Sequence, residues 1–256
     1  LKFIFYLILK TTYIILSKMS ELITQLSQFA IMSVGYKYSL SVTSKILQIW
    51  SPKYRNLTDS NQHYVTTNLN KSAVMLYIFM SFCMAFKKNP EYIFKSNMAV
   101  DVASQRHWKL LTMLFASTDL VSLLKSSKMP FSTKLHHYGV MAALGIILLS
   151  NFNGASLSKS LVIYGAFSSS AGIVNTYLGG RKLYEKDSIV IKSLKRLGLI
   201  SYVMACSGNW TWQLKHLANY FKQPDSANIL KFLLNTGLLY TWVQDDLKLM
   251  KHLATN

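Results

Sequence analysis

The chain has 256 residues, of which 51% are hydrophobic, 13% aromatic and 15% charged, with a mean hydropathy of +0.22. A soluble globular domain carries roughly 25% charged residues, so this composition argues against an ordinary water-soluble fold and for a small polytopic membrane protein. The net charge of +18 comes from 28 Lys+Arg against 10 Asp+Glu, but the cations stand singly between apolar segments. Nucleic-acid binders cluster their charge, so nucleic acid is excluded as a partner. Anionic lipid headgroups, cardiolipin among them, or the other subunits of a membrane complex are the expected counter-charge.

In chain order, Leu1 to Leu16 is almost wholly apolar. It reads as an anchor, a signal-like segment, or a start placed ahead of the true one at Met19; no small-residue cleavage site follows it. Leu22 to Trp50 alternates Leu, Phe, Ile and Met with Gln, Ser and Lys, the pattern of an interfacial amphipathic helix. Trp50 to Lys71 is polar with a Ser-Pro break, hence a loop or helix lead-in. These stretches make up an N-terminal segment, residues 1–67, ahead of a helical domain over 68–256.

Six apolar runs then predict six transmembrane helices: Ser72 to Phe86, Trp108 to Leu124, Leu135 to Leu149, Leu157 to Leu178, Leu197 to Trp212 and Ile229 to Val243. The fold class expected is all-α, a polytopic membrane bundle of about six such helices plus the N-terminal anchor or interfacial helix. The excess of Lys and Arg on one set of connections places both ends of the domain on the cytoplasmic or matrix side. Cys83 and Cys206 lie inside apolar runs without metal-ligand spacing and read as two buried thiols. Trp210, Trp212, Tyr240 and Trp242 sit near span ends, as interfacial anchors do. Asp245 and Asp246 read as a solvated helix end.

Three features carry possible chemistry. In the second span Lys109, Thr112, Ala116, Asp119 and Ser122 recur every three or four residues, a polar stripe that must face other helices. His136 and His137 open the third span beside Lys134. Adjacent helical residues diverge by about 100°, so one histidine is expected inside the bundle and the other at the interface. That geometry argues against a metal pair, and no metal or cofactor is expected. A histidine can act as general base in acyl transfer if an acid orients it, and no Asp or Glu lies between Asp119 and Glu185. In the fourth span Gly165, Ser168, Ser169 and Gly172 form small-xxx-small pairs, ending at Asn175, that let helices approach closely.

The order Asp119, basic loop, His136-His137, then the Ser-rich Phe167 to Asn175 resembles the TLC domain family. That family includes the ceramide synthases and translocon-associated membrane proteins. The resemblance spans about Asn68 to Val243 and implies lipid contact at His136, His137 and Asp119, with Lys134, Arg181 and Lys182 as basic neighbours for anionic headgroups. Family members that make ceramide carry paired aspartates and a glutamate downstream of the histidines, and this chain has neither there. The expectation is therefore a non-catalytic accessory subunit of a membrane complex, in the mitochondrial inner membrane ahead of the endoplasmic reticulum. The alternative is a lipid acyltransferase using His136 or His137.

Overall fold

The structure is a computed structural model that describes residues 2–95, 100–125, 129–150, 152, 156–185, 187–221 and 226–255; the side chains of residues 1–15, 93–94 and 220–228 lie outside the description. Much of the apolar segment Leu1 to Leu16 therefore has no described surroundings. The described chain is all-α. It comprises α1 (Lys2–Trp50), α2 (Pro52–Arg55), α3 (Asp59–Lys88), α4 (Glu91–Phe94), α5 (Val102–Lys125), α6 (Phe131–Leu149), α7 (Leu157–Ser169), α8 (Gly172–Gly180), α9 (Ile189–Phe221) and α10 (Ser226–Thr255).

Helix starts follow local chemistry. The side chains of Thr58 and Ser156 accept from the backbone N–H of Asn61 and Lys159, and Asp101 Oδ1 accepts from Ser104 N–H at 2.9 Å; each satisfies a donor that the first turn leaves open. The polar residues after Trp50 turn out to be largely a helix lead-in. From Asp59 they form the first turns of α3, where the side-chain amides of Asn68 and Asn70 donate to the carbonyls of Tyr64 and Thr66.

The fourth predicted span is two helices. Ser169 and Ser170 turn their hydroxyls back onto the carbonyls of Ala166 and Phe167, and the amides of Ser170 and Ala171 close tight bonds three residues back. Such local bonds compete with the i→i−4 ladder and break α7 from α8. Among the described residues α3 alone is long and apolar enough to cross a membrane by length and composition.

The long helices stand side by side and alternate in direction. Counted by the ends they bring together, α3, α6 and α9 run one way, while α5, α7–α8 and α10 run the other. Helix α1 lies against α3 and α5, burying Tyr36 and Leu40 beside Val121. Helix α8 packs tightly on α3. A Cβ on Gly172 would stand 2.7 Å from Leu76 Cγ and 3.1 Å from the Ser72 carbonyl, and one on Gly179 would be 3.0 Å from Leu69 Cγ. The sequence placed close packing on Gly165 through Gly172, but Gly165 has open space where a Cβ would go.

At the far end an aromatic cluster closes the bundle. Trp108 is fully buried and meets Phe82, Phe86, Tyr92 and Phe152 at centroid distances of 5.7–6.0 Å. Nearby, α7, α9 and α10 share a buried amide network. Ser160 Oγ lies 2.5 Å from Gln213 Oε1 and 3.0 Å from Asn235 Oδ1; Gln213 Nε2 donates to the Ser160 carbonyl and to Asn209 Oδ1. Lys159 Nζ donates to the Lys95 carbonyl.

Several side chains differ from expectation. Trp212 stacks on His216 at 4.9 Å, and Trp242 lies 4.4 Å from the Tyr164 ring. Both are buried: Trp212 stacks on a histidine of its own helix α9, and Trp242 packs on Tyr164 of α7 and beside Gly139 of α6. Tyr240 is exposed as an anchor would be. Cys206 is buried, but Cys83 is exposed on the outer face of α3.

Candidate functional site: a carboxylate–histidine cavity

A cavity of about 540 Å³ runs between α3, α5, α6, α7 and α10. The polar stripe of α5 faces this interior: Thr112 and Ser122 line it, and Asp119 stands behind its wall with no exposed surface. Lys109, at the far end of the stripe, donates to the Leu148 carbonyl and lies 3.8 Å from Glu21 of α1.

Asp119 Oδ1 has two neighbours, a lysine that donates to it and a histidine close beside it. Lys71 Nζ of α3 is 2.7 Å away and His137 Nδ1 of α6 is 3.1 Å away. Oδ2 of the same carboxylate is buried without a hydrogen-bond partner. The lysine compensates the buried charge, which burial alone would make costly.

His136 meets a different acid. Its Nδ1 lies 3.3 Å from Asp245 Oδ2 of α10. The two imidazoles stand edge to face, with centroids 5.6 Å apart. The two histidines differ in exposure as expected, His137 buried and His136 half-buried, and both meet carboxylates. The divergence of adjacent side chains is real, but α6 lies between α5 and α10, so each direction meets a carboxylate. The donor atoms of Asp119, His136 and His137 all fall within 4.8 Å of one another, close enough to share a cation, although Lys71 already places an ammonium on Asp119. Neither histidine contact has hydrogen-bond alignment; such contacts in an unliganded site commonly tighten when substrate binds.

The reading of Asp245-Asp246 as a solvated helix end is overturned. Asp246 is buried and accepts from Tyr202 Oη at 2.6 Å, Tyr164 Oη at 2.9 Å and Trp210 Nε1 at 3.3 Å. These three donors, from α7 and α9, fix α10 in rotation and so direct Asp245 toward His136. The sequence carried one signal for this: 245–246 is the only adjacent pair among the ten acids. Nothing in the spacing marked Lys71, Tyr164 or Tyr202.

Other predicted residues separate. Gly165, Ser168 and Asn175 line the cavity, and Asn175 Nδ2 also donates to the Ala171 carbonyl. Ser169 is buried behind them, and Gly172 packs on α3. Lys134 is half-buried at the start of α6, and Lys182 is half-buried after α8; neither lines the cavity. Arg181 is engaged elsewhere. Its guanidinium donates to Tyr64 Oη at 3.2 Å, lies 3.0 Å from His252 Nε2, and sits 5.9 Å over the rings of Tyr64 and Tyr177.

Chemically, the arrangement presents two imidazoles, each with its own carboxylate, at the wall of a partly open and mostly apolar cavity. That is the composition of a general-base site for a lipid-sized substrate. No family model, no curated protein and no solved structure matches this chain.

Proposed function

We propose that this is a polytopic helical membrane protein that transfers an acyl group to the amine or hydroxyl of a membrane lipid. The bilayer setting is supported by large apolar side chains on the outer surface and ionisable groups turned inward. Tyr77, Met80, Met84, Ile200, Met204 and Leu233 are exposed, while Asp119, His137, Gln213 and Asp246 are buried. Exposed apolar side chains suit lipid contact, and ionisable groups in membrane proteins turn inward.

One observation carries the catalytic reading: a carboxylate stands at 3.1 Å from His137 and another at 3.3 Å from His136, beside the same cavity. The accessory-subunit reading leaned on the want of a second acid near the histidines, and Asp245 beside His136 is what favours the catalytic alternative. His137, with Nδ1 toward Asp119, presents Nε2 as the base. A lipid amine or hydroxyl attacks the carbonyl of an acyl thioester and gives up its proton to Nε2. The carbon–sulfur bond breaks as the new amide or ester bond forms, and the imidazolium returns the proton to the leaving thiolate. Asp119 stabilises the imidazolium in between.

The test is acyl transfer from a long-chain acyl thioester to a long-chain amine in membranes containing the protein. Wild type is expected to turn over and His137→Ala to lose about 10²–10⁴ of the rate, with Asp119→Asn also impaired. Full activity in His137→Ala, or none in wild type over a panel of lipid acceptors, would return the chain to an architectural role.

A further inference from the structure

Asp119, His136 and His137 each keep a buried side-chain atom without a hydrogen-bond partner, Oδ2 of the carboxylate and Nδ1 of each ring. The ligand atoms these three residues offer lie within 4.8 Å of one another. Among the described residues no other three His, Cys, Asp or Glu side chains gather so closely. Hydrogen bonding does not account for the gathering: the separations of 3.1 Å from His137 to Asp119 and 3.3 Å from His136 to Asp245 lack its alignment. Neighbouring ligands of a tetrahedral zinc stand roughly 3.3–3.6 Å apart, so closing the trio takes at most ~1.5 Å of side-chain movement.

The donor set is two imidazoles and one carboxylate. Calcium and magnesium take oxygen ligands, whereas zinc accepts such a mixed set and leaves a fourth position open where it meets a cavity. Both histidines line the cavity, so the fourth position faces it. Lys71 Nζ stands 2.7 Å from Asp119 Oδ1 and leaves Oδ2 to the ion. That ammonium fixes the carboxylate as an outer partner does, and it also opposes the charge of a metal. Adjacent helical side chains diverge, which argued against a metal pair in the sequence. Here the rings stand edge to face, 5.6 Å between centroids, and still bring ligand atoms to one place beside Asp119.

We infer that Asp119, His136 and His137 bind a divalent transition-metal ion, zinc foremost, and that the bound ion holds His137 out of its role as base. The binding stands apart from the acyl-transfer reading; the block rests on it. A neutral imidazole has one proton and one lone pair. When the Nδ1 lone pair goes to zinc, the proton sits on Nε2. The ring then has no lone pair for a lipid amine or hydroxyl and no N–H for Asp119, so the metal-loaded and base forms of His137 exclude each other.

Zinc titrated against a fluorescent zinc indicator, with the full chain in detergent after stripping by a chelator, reads binding without turnover. Wild type is expected to bind a single zinc that calcium and magnesium do not displace. His137→Ala and Asp119→Asn should each weaken it at least about a hundredfold, the upper end for loss of even an outer partner. His216→Ala, away from the cavity, should not. Lys71→Met removes the opposing ammonium and should tighten binding at least about tenfold, a gain that histidines with a merely structural role would not give. Lys71→Gln repeats the measurement if the methionine variant does not fold. Cobalt gives a second readout: a tetrahedral complex on nitrogen and oxygen absorbs visible light without the thiolate band that Cys83 would add. Wild-type affinity in His137→Ala, or no zinc bound by wild type, overturns the site. Zinc bound by a wild type that transfers no acyl group upholds the site and removes the reaction it was to block. Acyl transfer at full rate in wild type saturated with zinc overturns the block and leaves the reaction standing.

Discussion

Two buried polar regions occupy opposite ends of this bundle, and they are built on different rules. Around Ser160, Gln213, Asn209 and Asn235 the partners are neutral amides and a hydroxyl, bonded side chain to side chain and side chain to backbone. Around Asp119 and the histidines the partners are charges and imidazoles, a carboxylate oxygen is left open, and the group borders a cavity. Each region keeps a polar atom without a partner, Asn235 Nδ2 in the first and Asp119 Oδ2 in the second, but only the second borders the cavity and joins its open atom to charges and imidazoles. Burial of polar residues is therefore a poor marker of function here, and unspent hydrogen-bonding capacity beside open space is a better one.

The sharpest way to break the contrast is to remove one histidine from each region. His137→Ala should lower acyl transfer by about 10²–10⁴, whereas His216→Ala, as deeply buried but far from the cavity, should leave the rate of the folded protein unchanged. Equal losses would erase the distinction. Stability should separate the regions next. Lys71→Met strands the buried Asp119 carboxylate and should cost about 3–5 kcal/mol, seen as a lower unfolding midpoint in detergent. Lys71→Met with Asp119→Asn should recover much of that loss.

Ser160→Ala takes one hydroxyl from the amide network and should cost only about 1–3 kcal/mol. Gly172→Ala is expected in the same range of about 1–3 kcal/mol, since its Cβ meets the Leu76 side chain and the Ser72 carbonyl. The smallest effect lies outside both regions. Hydrogen bonds from the Ser104 side chain, the Tyr92 hydroxyl and the Ser104 N–H hold the Asp101 carboxyl well below its usual range. A depressed carboxyl stabilises the fold above its unfolded value of about 3.9, and that contribution fades as the pH falls below it. Asp101→Asn should flatten that acid limb in a pH series of unfolding midpoints.

The apolar runs made the helices legible because burial and lipid exposure both write themselves into hydrophobic stretches. Five of the six predicted runs each lie within a single helix. The break at Ser170 was hidden, since serines suit small-residue packing and back-bonding alike. In the site, Asp119 and His137 were readable as costly residues within apolar sequence. Lys71 and Asp245 were not, because they come from helices 48 and 126 residues away from Asp119 along the chain, and periodicity says nothing about which helix faces which. Asp246 was misread for a related reason: next to Lys248 and Lys251 it looks solvated, while its tyrosine partners belong to α7 and α9.

The lone outward thiol on α3 offers a native reporter of solvent. Cys83 stands about a turn inside Lys87 and Lys88, on the same outer face as Met80 and Met84. In a bilayer, acyl chains would shield it from a charged, membrane-impermeant maleimide; in water the same reagent would reach it at once. Labelling before and after detergent extraction therefore distinguishes a lipid-facing wall from a wetted one with no engineered residue, while Cys206, held in the interior, stays silent in both.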